Sequence, residues 1–391
     1  MSRESVGILF LPDRRWGEHR KTAANLAPRL ARSFPLVWVT PAHHWRDIGA
    51  RRRSGRPVFR RPEDGGGLTV YEPPAHLPMT YRPGIAARFL RSRRLARARA
   101  ELVRLGARRI VLYVWRPKYA DALDLVEHDV SIYHVVDEYS FSSDDPPTPP
   151  DERRLIGEAD RLIVHSPALI DKKGRPDTDF VPNGVDYASF AEPCAEPADL
   201  AEIGRPRIGY CGYVKHQMDW ELLETLVRRH ADWHWVIVGK LRHRELAGRV
   251  EALGRRPNVH FLGEKSTEEL ARYPQHFDVC VMPYVRDGYT KYIYPLKLHE
   301  YLAAGRPTVG TPIRTLRDFD HVVELAEGAD EWSAALERCL APGARGPEAK
   351  ARRQQVAREH DWDVLAERVA SLIDEEVARS DDARTRDRTT A

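Results

Sequence analysis

The run from Pro283 to Pro307, PYVRDGYTKYIYPLKLHEYLAAGRP, concentrates residues whose types and spacing could do chemistry. Pro295 suits the first position of a helix, where its missing N–H and fixed φ cost nothing, and Gly305 and Pro307 end the same helix near Ala304. The apolar run Val279–Met282 upstream reads as a buried strand. The loop between them therefore delivers the first helical turn, with its free N–H groups at 295–298, to the end of a sheet. Lys297 lies in that turn. A cation there opposes the helix dipole, and Lys before Glu three residues on is the less favourable order for a helical pair. Helix stability gives no reason for this lysine. A bound diphosphate does, because the ammonium and the N–H groups would then serve one negative charge. Glu300, one turn further on the same face, could accept both hydroxyls of a ribose. On helix physics alone the alternative is a solvated Lys/Glu face.

Further polar residues follow apolar runs in the first half of the chain. Trp16, His19 and Arg20 come after Val6–Leu11, and Trp115 and Arg116 after Ile110–Val114. His134, Asp137 and Glu138 close Ser131–Val136. Asp137 and Glu138 stand directly at a strand end, where they can face a substrate. His134, between Tyr133 and Val135, reads equally as a core imidazole. Three Asp-x-Asp matches (Asp177 to Asp179, Asp318 to Asp320, Asp361 to Asp363) do not directly end apolar strands, and acid-rich sequence produces such matches by chance. The His and Cys spacing offers no metal-ligand pattern. Cys194, Cys211, Cys280 and Cys339 are scattered and read as reduced thiols.

These residues need a scaffold of alternating strands and helices, and the chain supplies it twice. At 391 residues two domains are favoured. No apolar stretch is long enough for a membrane span, and the apolar run at Val6–Leu11 is too short for a secretory signal. Short apolar strands alternate with helices up to Val164 and again from Arg207, which predicts an α/β protein with mostly parallel sheets. Asp219 caps one helix, and Ser266 with Glu269 forms a capping box. The expected division is a Rossmann-like first domain over 1–188, a linker over 189–204 and a second Rossmann-like domain over 205–360. A helix over 361–378 and a disordered tail over 379–391 follow. Two such domains imply a cleft lined by the loops at the carboxyl ends of strands.

Several segments, in order, resemble the retaining glycosyltransferases of family 4, which have the two-Rossmann-domain GT-B fold. The donor-site likeness is Thr290-x4-Pro295-x-Lys297-x-x-Glu300-Tyr301-Leu302-Ala303-Ala304-Gly305-Arg306-Pro307. Ala159–Ser166 is similar to the family's AD-x-V-x-x-x-S strand, Val181–Asp186 to its PNGVD turn, Ile208–Gly212 to the strand opening its second domain, and Trp235–Gly239 to its VIVG strand. Trp362 resembles the tryptophan of its carboxyl-terminal helix, which crosses back onto the first domain. Two departures stand out. Tyr292 occupies a position where the family often has Glu, and Tyr213 and Met218 stand where many members carry Arg and Lys, with Lys215 between them.

The resemblance implies transfer of a hexose-type sugar from a nucleotide diphosphate to an acceptor hydroxyl with retention. Gly212, Tyr213, Lys215, Asn183, Thr290, Tyr294, Pro295, Leu296, Lys297 and Glu300 would bind the donor. Lys297, Glu300 and Asp137 would take part in catalysis, and Trp16, Arg20, Arg116, His134 and Glu138 would face the acceptor. No metal and no cofactor beyond the donor are expected. The acceptor would be a sugar, a lipid-linked saccharide or a small aglycone, and nucleic acid is not expected. The alternatives are a nucleotide-sugar epimerase on the same scaffold, or a non-catalytic binder of nucleotide sugars or polyanions.

Charge adds one further expectation. Residues 1–130 carry 26 Lys/Arg against 12 Asp/Glu, whereas the whole chain has a net charge of only +4. Ten of these arginines fall between Tyr81 and Arg109, around a helix with apolar Ile85, Phe89, Leu95 and Leu102. Such a field suits an anionic membrane surface or an anionic acceptor, with solvated arginines as the alternative. The expected location is the cytoplasm, with attachment to the inner face of the membrane as a candidate.

Overall fold

The computed structural model describes residues 2–12, 14–18, 22–49, 58–80, 84–139 and 147–390, with side chains to 386. The chain forms two units. The first runs to Pro182 and resumes at Asp363, and the second is Asn183–Trp362.

The first unit is built on an eight-stranded sheet: β1 (Val6–Leu11), β2 (Leu36–Val39), β3 (Phe59–Arg60), β4 (Thr69–Tyr71), β5 (Arg109–Val114), β6 (Val130–Val135), β7 (Arg161–Val164) and β8 (Asp179–Phe180). Their order is β3-β4-β2-β1-β5-β6-β7-β8, and all neighbours are parallel except β3 and β4. β1, β2 and β6 are buried at every position. That is why they read as unbroken apolar runs, as strands covered on both faces do. Helices α1 (Thr22–Leu30) and α2 (Ile85–Arg104) belong to this unit.

The second unit carries six parallel strands: β9 (Arg207–Cys211), β10 (His234–Val238), β11 (Val259–Gly263), β12 (Val279–Met282), β13 (Thr308–Gly310) and β14 (Glu324–Leu325), in the order β11-β10-β9-β12-β13-β14. Asp219 caps α3 (Trp220–Arg229) through a 2.9 Å bond from the Leu222 N–H, and the Ser266/Glu269 capping box is formed. Helix α4 (Leu296–Ala303) follows β12 and the long loop after it.

The expected boundaries shift in two places. Residues 189–204 are built into the second unit, not strung between units. Leu200 is buried there, and Asp199 takes a 2.8 Å bond from Tyr273 and pairs with Lys265 at 2.7 Å. The tail, expected to be disordered from residue 379, continues α5 (Trp362–Thr390). Its charges find partners on the first unit: Asp381 pairs with Arg109, and Arg384 pairs with Asp129 at 2.6 Å. Earlier in α5, Asp374 and Glu367 hold Arg3 at 2.8 and 2.7 Å, and Asp363 holds Arg29 at 2.8 Å.

Candidate active site

In the second sheet the strand order turns at β9. Strand β10 lies on one side of it and β12 on the other, so a crevice opens outside the carboxyl ends of β9 and β12. The loops after those two strands are stitched together. Asp219 donates its N–H to the Pro283 carbonyl at 2.8 Å, Val285 donates to Gln217 at 3.0 Å, and Met218 bridges Tyr284. Gly212 opens the first loop at φ +136°, and Gly239 ends β10 at φ +150°. A Cβ on Gly239 would stand 1.9 Å from the Gly212 carbonyl oxygen, so only glycine lets the two backbones cross there.

The second loop is held by residues that the sequence suggested as donor ligands. Thr290 is fully buried and donates to the Val285 carbonyl at 2.7 Å. Asn183 donates to the Tyr294 carbonyl at 2.8 Å, and the Tyr294 hydroxyl meets His299 Nε2 at 2.9 Å. These side chains shape the approach to α4, and their polar groups are engaged with the protein. Pro295 is the residue before the helix, not its first residue. It has no N–H, and the Leu298 N–H bonds to its carbonyl at 3.1 Å. Among the described residues the free donors at this terminus are therefore the N–H groups of Leu296 and Lys297, a narrower set than 295–298.

The Lys297 ammonium reaches back toward β9. It donates to the phenol oxygens of Tyr210 and Tyr284, each at 3.2 Å, and lies 4.5 Å from the centre of the Tyr210 ring. It also crowds Gly212, where a Cβ would come within 3.1 Å of Nζ. Among the described residues no carboxylate lies within ion-pair distance of it. Burial alone would lower its pKa, but the two phenols outweigh burial and hold it above the ordinary lysine value, so it stays charged. Glu300 lies one turn along, partly exposed to solvent. Burial pushes its pKa up to about 7 against the pull of Lys297, and among the described residues its carboxylate takes part in no hydrogen bond. Tyr301 fixes the helix to β9, its hydroxyl accepting the Cys211 N–H at 2.7 Å.

The structure thus brings to one sheet edge a cation, two backbone donors and a carboxylate that have no ion-pair or hydrogen-bond partner of opposite kind beyond the two phenols among the described residues. Lys215 is on the first loop, its ammonium 5.7 Å from the centre of the Tyr289 ring on the second. Tyr213 lies beneath the Arg242 guanidinium at 5.1 Å. Tyr210 and Tyr284 are residues that sequence reasoning missed as parts of the site. Their only signal was their place at the ends of two apolar strands.

In the first unit, several expected acceptor residues serve packing instead. The Trp16 indole N–H donates to Asp64 at 3.1 Å, and its ring stands edge-on to Trp38. His134 is 1% exposed, stacks on Trp115 and shares a 2.8 Å bond with the Tyr113 hydroxyl; burial holds its pKa far below the usual histidine range. Glu138 is buried between Lys172 and Lys173 at 3.1 and 3.2 Å, so its charge is committed within the fold. Asp137 and Arg116 do stand at strand ends. Asp137 caps the Glu138 N–H at 3.0 Å, and Arg116 lies over Tyr139 at 4.4 Å. Arg20 and His19 lie outside the described residues.

One grouping was invisible in the linear spacing. His216, on the loop after β9, meets His243 and Glu245, after β10, with all three ligand-type atoms within 4.8 Å of one another. The His216–Glu245 contact is 2.9 Å, and the trio lies at the surface. As it stands it forms a local hydrogen bond between His216 and Glu245.

Two mostly parallel α/β sheets with a cation and a carboxylate on the helix after the fourth strand of the second sheet define the class: this is a protein of GT-B architecture. Residues 205–341 match the family model described as "Glycosyl transferases group 1". The chain is 34% identical over 227 residues to the "Putative teichuronic acid biosynthesis glycosyltransferase TuaH" of Bacillus subtilis (strain 168), an alignment covering 55% of this chain and 56% of that protein. It thus spans about half the length of this curated relative. Among solved structures, sucrose-phosphate synthase from Thermosynechococcus elongatus superposes with a TM-score of 0.68 at 16% identity, covering 96% of this chain and 99% of the other. The trehalose-6-phosphate structure from E. coli bound with UDP-2-fluoro glucose gives 0.66 at 13% identity, covering 95% and 99%.

Proposed function

We propose that the protein is a retaining glycosyltransferase that takes a hexose-type sugar from a nucleotide diphosphate donor to an acceptor hydroxyl. The observation carrying this reading is Lys297: among the described residues its ammonium is held by two phenols and no carboxylate, beside the N–H groups of a helix terminus. Such a site is matched to a diphosphate. Glu300, without a hydrogen-bond partner among the described residues, is suited to both ribose hydroxyls. Lys215 is a second cation for the phosphates, with Gly212 allowing close approach. The family match over 205–341, and the structural neighbour bound with UDP-2-fluoro glucose, support a nucleotide sugar as the donor.

In the reaction the bond from the anomeric carbon to the diphosphate oxygen breaks, and a bond to the acceptor oxygen forms on the same face. The acceptor proton passes to the departing phosphate oxygen. Negative charge grows on the diphosphate as it leaves, so Lys297 and the helix donors stabilise the transition state more than the ground state. Asp137, at the end of β6, is assigned to the acceptor side. The chemistry needs no cofactor beyond the donor, and the cations take the part a metal would otherwise play. The acceptor class is a sugar, a lipid-linked saccharide or a small aglycone.

The test is a panel of nucleotide sugars, scored for release of nucleoside diphosphate with and without candidate acceptors. Acceptor-dependent release with α-configured product from an α-configured donor supports the proposal. Release of epimerised sugar without an acceptor would point to an epimerase, and binding without turnover on any donor would point to a non-catalytic binder.

A further inference from the structure

Helix α2 has two apolar sides. Leu95, Ala98 and Leu102 face the core. On the opposite side, Ile85 is 91% exposed, Phe89 61% and Val103 50%. With exposed Ala96 and Ala100, these residues fall 4, 11, 15 and 18 positions after Ile85, close to multiples of the helical period, so they form one continuous outward stripe. Exposed large apolar side chains are few among the described residues, and two more are Trp45 and Met79. The Trp45 N–H donates to the Met79 carbonyl at 3.0 Å, and the buried Arg94 ties α2 to the carbonyls of Leu77 and Pro78 at 3.2 and 2.6 Å.

The arginines divide just as sharply. Arg94 is structural. Arg88, Arg91 and Arg99 border one flank and pair with Asp124, Asp121 and Glu127. On the other flank Arg93 and Arg97 are exposed, and among the described residues neither has a carboxylate partner. Arg93 lies 5.9 Å from the Phe89 ring centre, and Arg97 approaches only His76, at 3.5 Å. The helix contains one acid, Glu101, which is buried and paired with Arg104.

We infer that this face is a docking surface for an anionic lipid bilayer. Ile85 and Phe89 enter the boundary between headgroups and acyl chains, while Arg93 and Arg97 meet lipid phosphates. An apolar stripe beside unneutralised cations is the arrangement of an interfacial helix. A second copy fits worse, because a two-fold contact along this stripe would set Arg93 and Arg97 against their own counterparts. Nucleic acid fits worse too, since it offers the aliphatic Ile85 and Val103 no partner. The inference stands apart from the donor chemistry.

The test is co-sedimentation of the full chain with phosphatidylglycerol-containing vesicles at low salt, with pure phosphatidylcholine vesicles as the comparison. Binding is expected to anionic vesicles alone, falling at least tenfold near 0.5 M salt, where the screening length is only about 3–5 Å. I85S/F89S and R93Q/R97Q should each weaken it about tenfold or more, with donor turnover and thermal midpoint unchanged. R94Q serves as the fold control and should lower the thermal midpoint. The inference is overturned if the wild type stays in the supernatant, if phosphatidylcholine binds equally well, or if the serine variant binds as tightly as wild type. Capture of RNA or DNA in place of vesicles would also overturn it.

Discussion

Replacing Glu300 by Gln should weaken donor binding and strengthen the fold, and this opposition of sign is what a purely structural glutamate would not produce. The pKa of the folded carboxyl is raised from 4.5 to about 7, mainly by burial. Between those values the native state binds more protons than the unfolded chain, so its stability falls as pH rises through the window. A shift of about 2.5 units corresponds to about 3 kcal/mol at pH 8, reduced to roughly 2 kcal/mol by residual solvent contact, and most of it is absent near pH 5. Gln has no charge to desolvate and escapes this penalty. The variant should therefore melt roughly 4–8 °C above wild type at pH 8, with most of the gain lost at pH 5. Donor binding moves the other way. Hydrogen bonds to a charged group contribute about 1.5–3 kcal/mol, so kcat/KM should fall roughly ten- to a hundredfold. Wild-type donor affinity should rise about tenfold from pH 6 to pH 8 as the carboxyl ionises, while that of the variant stays flat. Differential scanning calorimetry and donor titration at pH 5, 6, 7 and 8 read both effects. A variant that binds donor like wild type, or gains no stability at pH 8, refutes the reasoning.

Three further outcomes are expected. Lys297→Met should lower kcat/KM by about 10²–10³-fold, while Tyr210→Phe, which removes one of two oxygens holding the ammonium, should cost far less; equal losses would mean the lysine serves only packing. EDTA should leave turnover intact, and if it abolishes activity and His216→Ala does the same, the His216, His243 and Glu245 trio is a metal site. Gly239→Ala should destabilise the second unit by more than about 2 kcal/mol, because its Cβ meets the Gly212 carbonyl at 1.9 Å and its φ of +150° is strained for alanine; an unchanged urea midpoint would contradict the crossing.

What could be read from the residues in order was whatever depends on local pattern. The buried strands β1, β2, β9 and β12, the caps at Asp219 and Ser266, and the oddity of a lysine in the first turn of α4 all follow from neighbours within a few positions. The short edge strands β3, β8 and β14 have two residues each, too few to carry a period. Side-chain roles that depend on distant partners were not legible. Thr290 and Asn183 looked like ligands until the Val285 and Tyr294 carbonyls were found opposite them. Glu138 looked free because Lys172 and Lys173 are more than thirty residues away. The tail looked disordered because Arg109 and Asp129, which anchor it, lie over 250 positions upstream.

The placement of α5 bears on how the chain can be made. The first unit leaves off at Pro182 and is completed only by residues from Asp363 onward, so the second unit is an insertion within it. On the ribosome the amino-terminal sheet emerges first but must wait for about 180 residues before its last helix arrives. Arg3, Arg29 and Arg161 lack their α5 carboxylates until then, and the surface that takes Val369, Ile373 and Val377 lies open. The inserted unit, by contrast, has all its strands as soon as β14 is synthesised. The part made second is therefore the first that can be finished, and a ribosome stalled before residue 363 leaves a complete second unit attached to an unfinished first one.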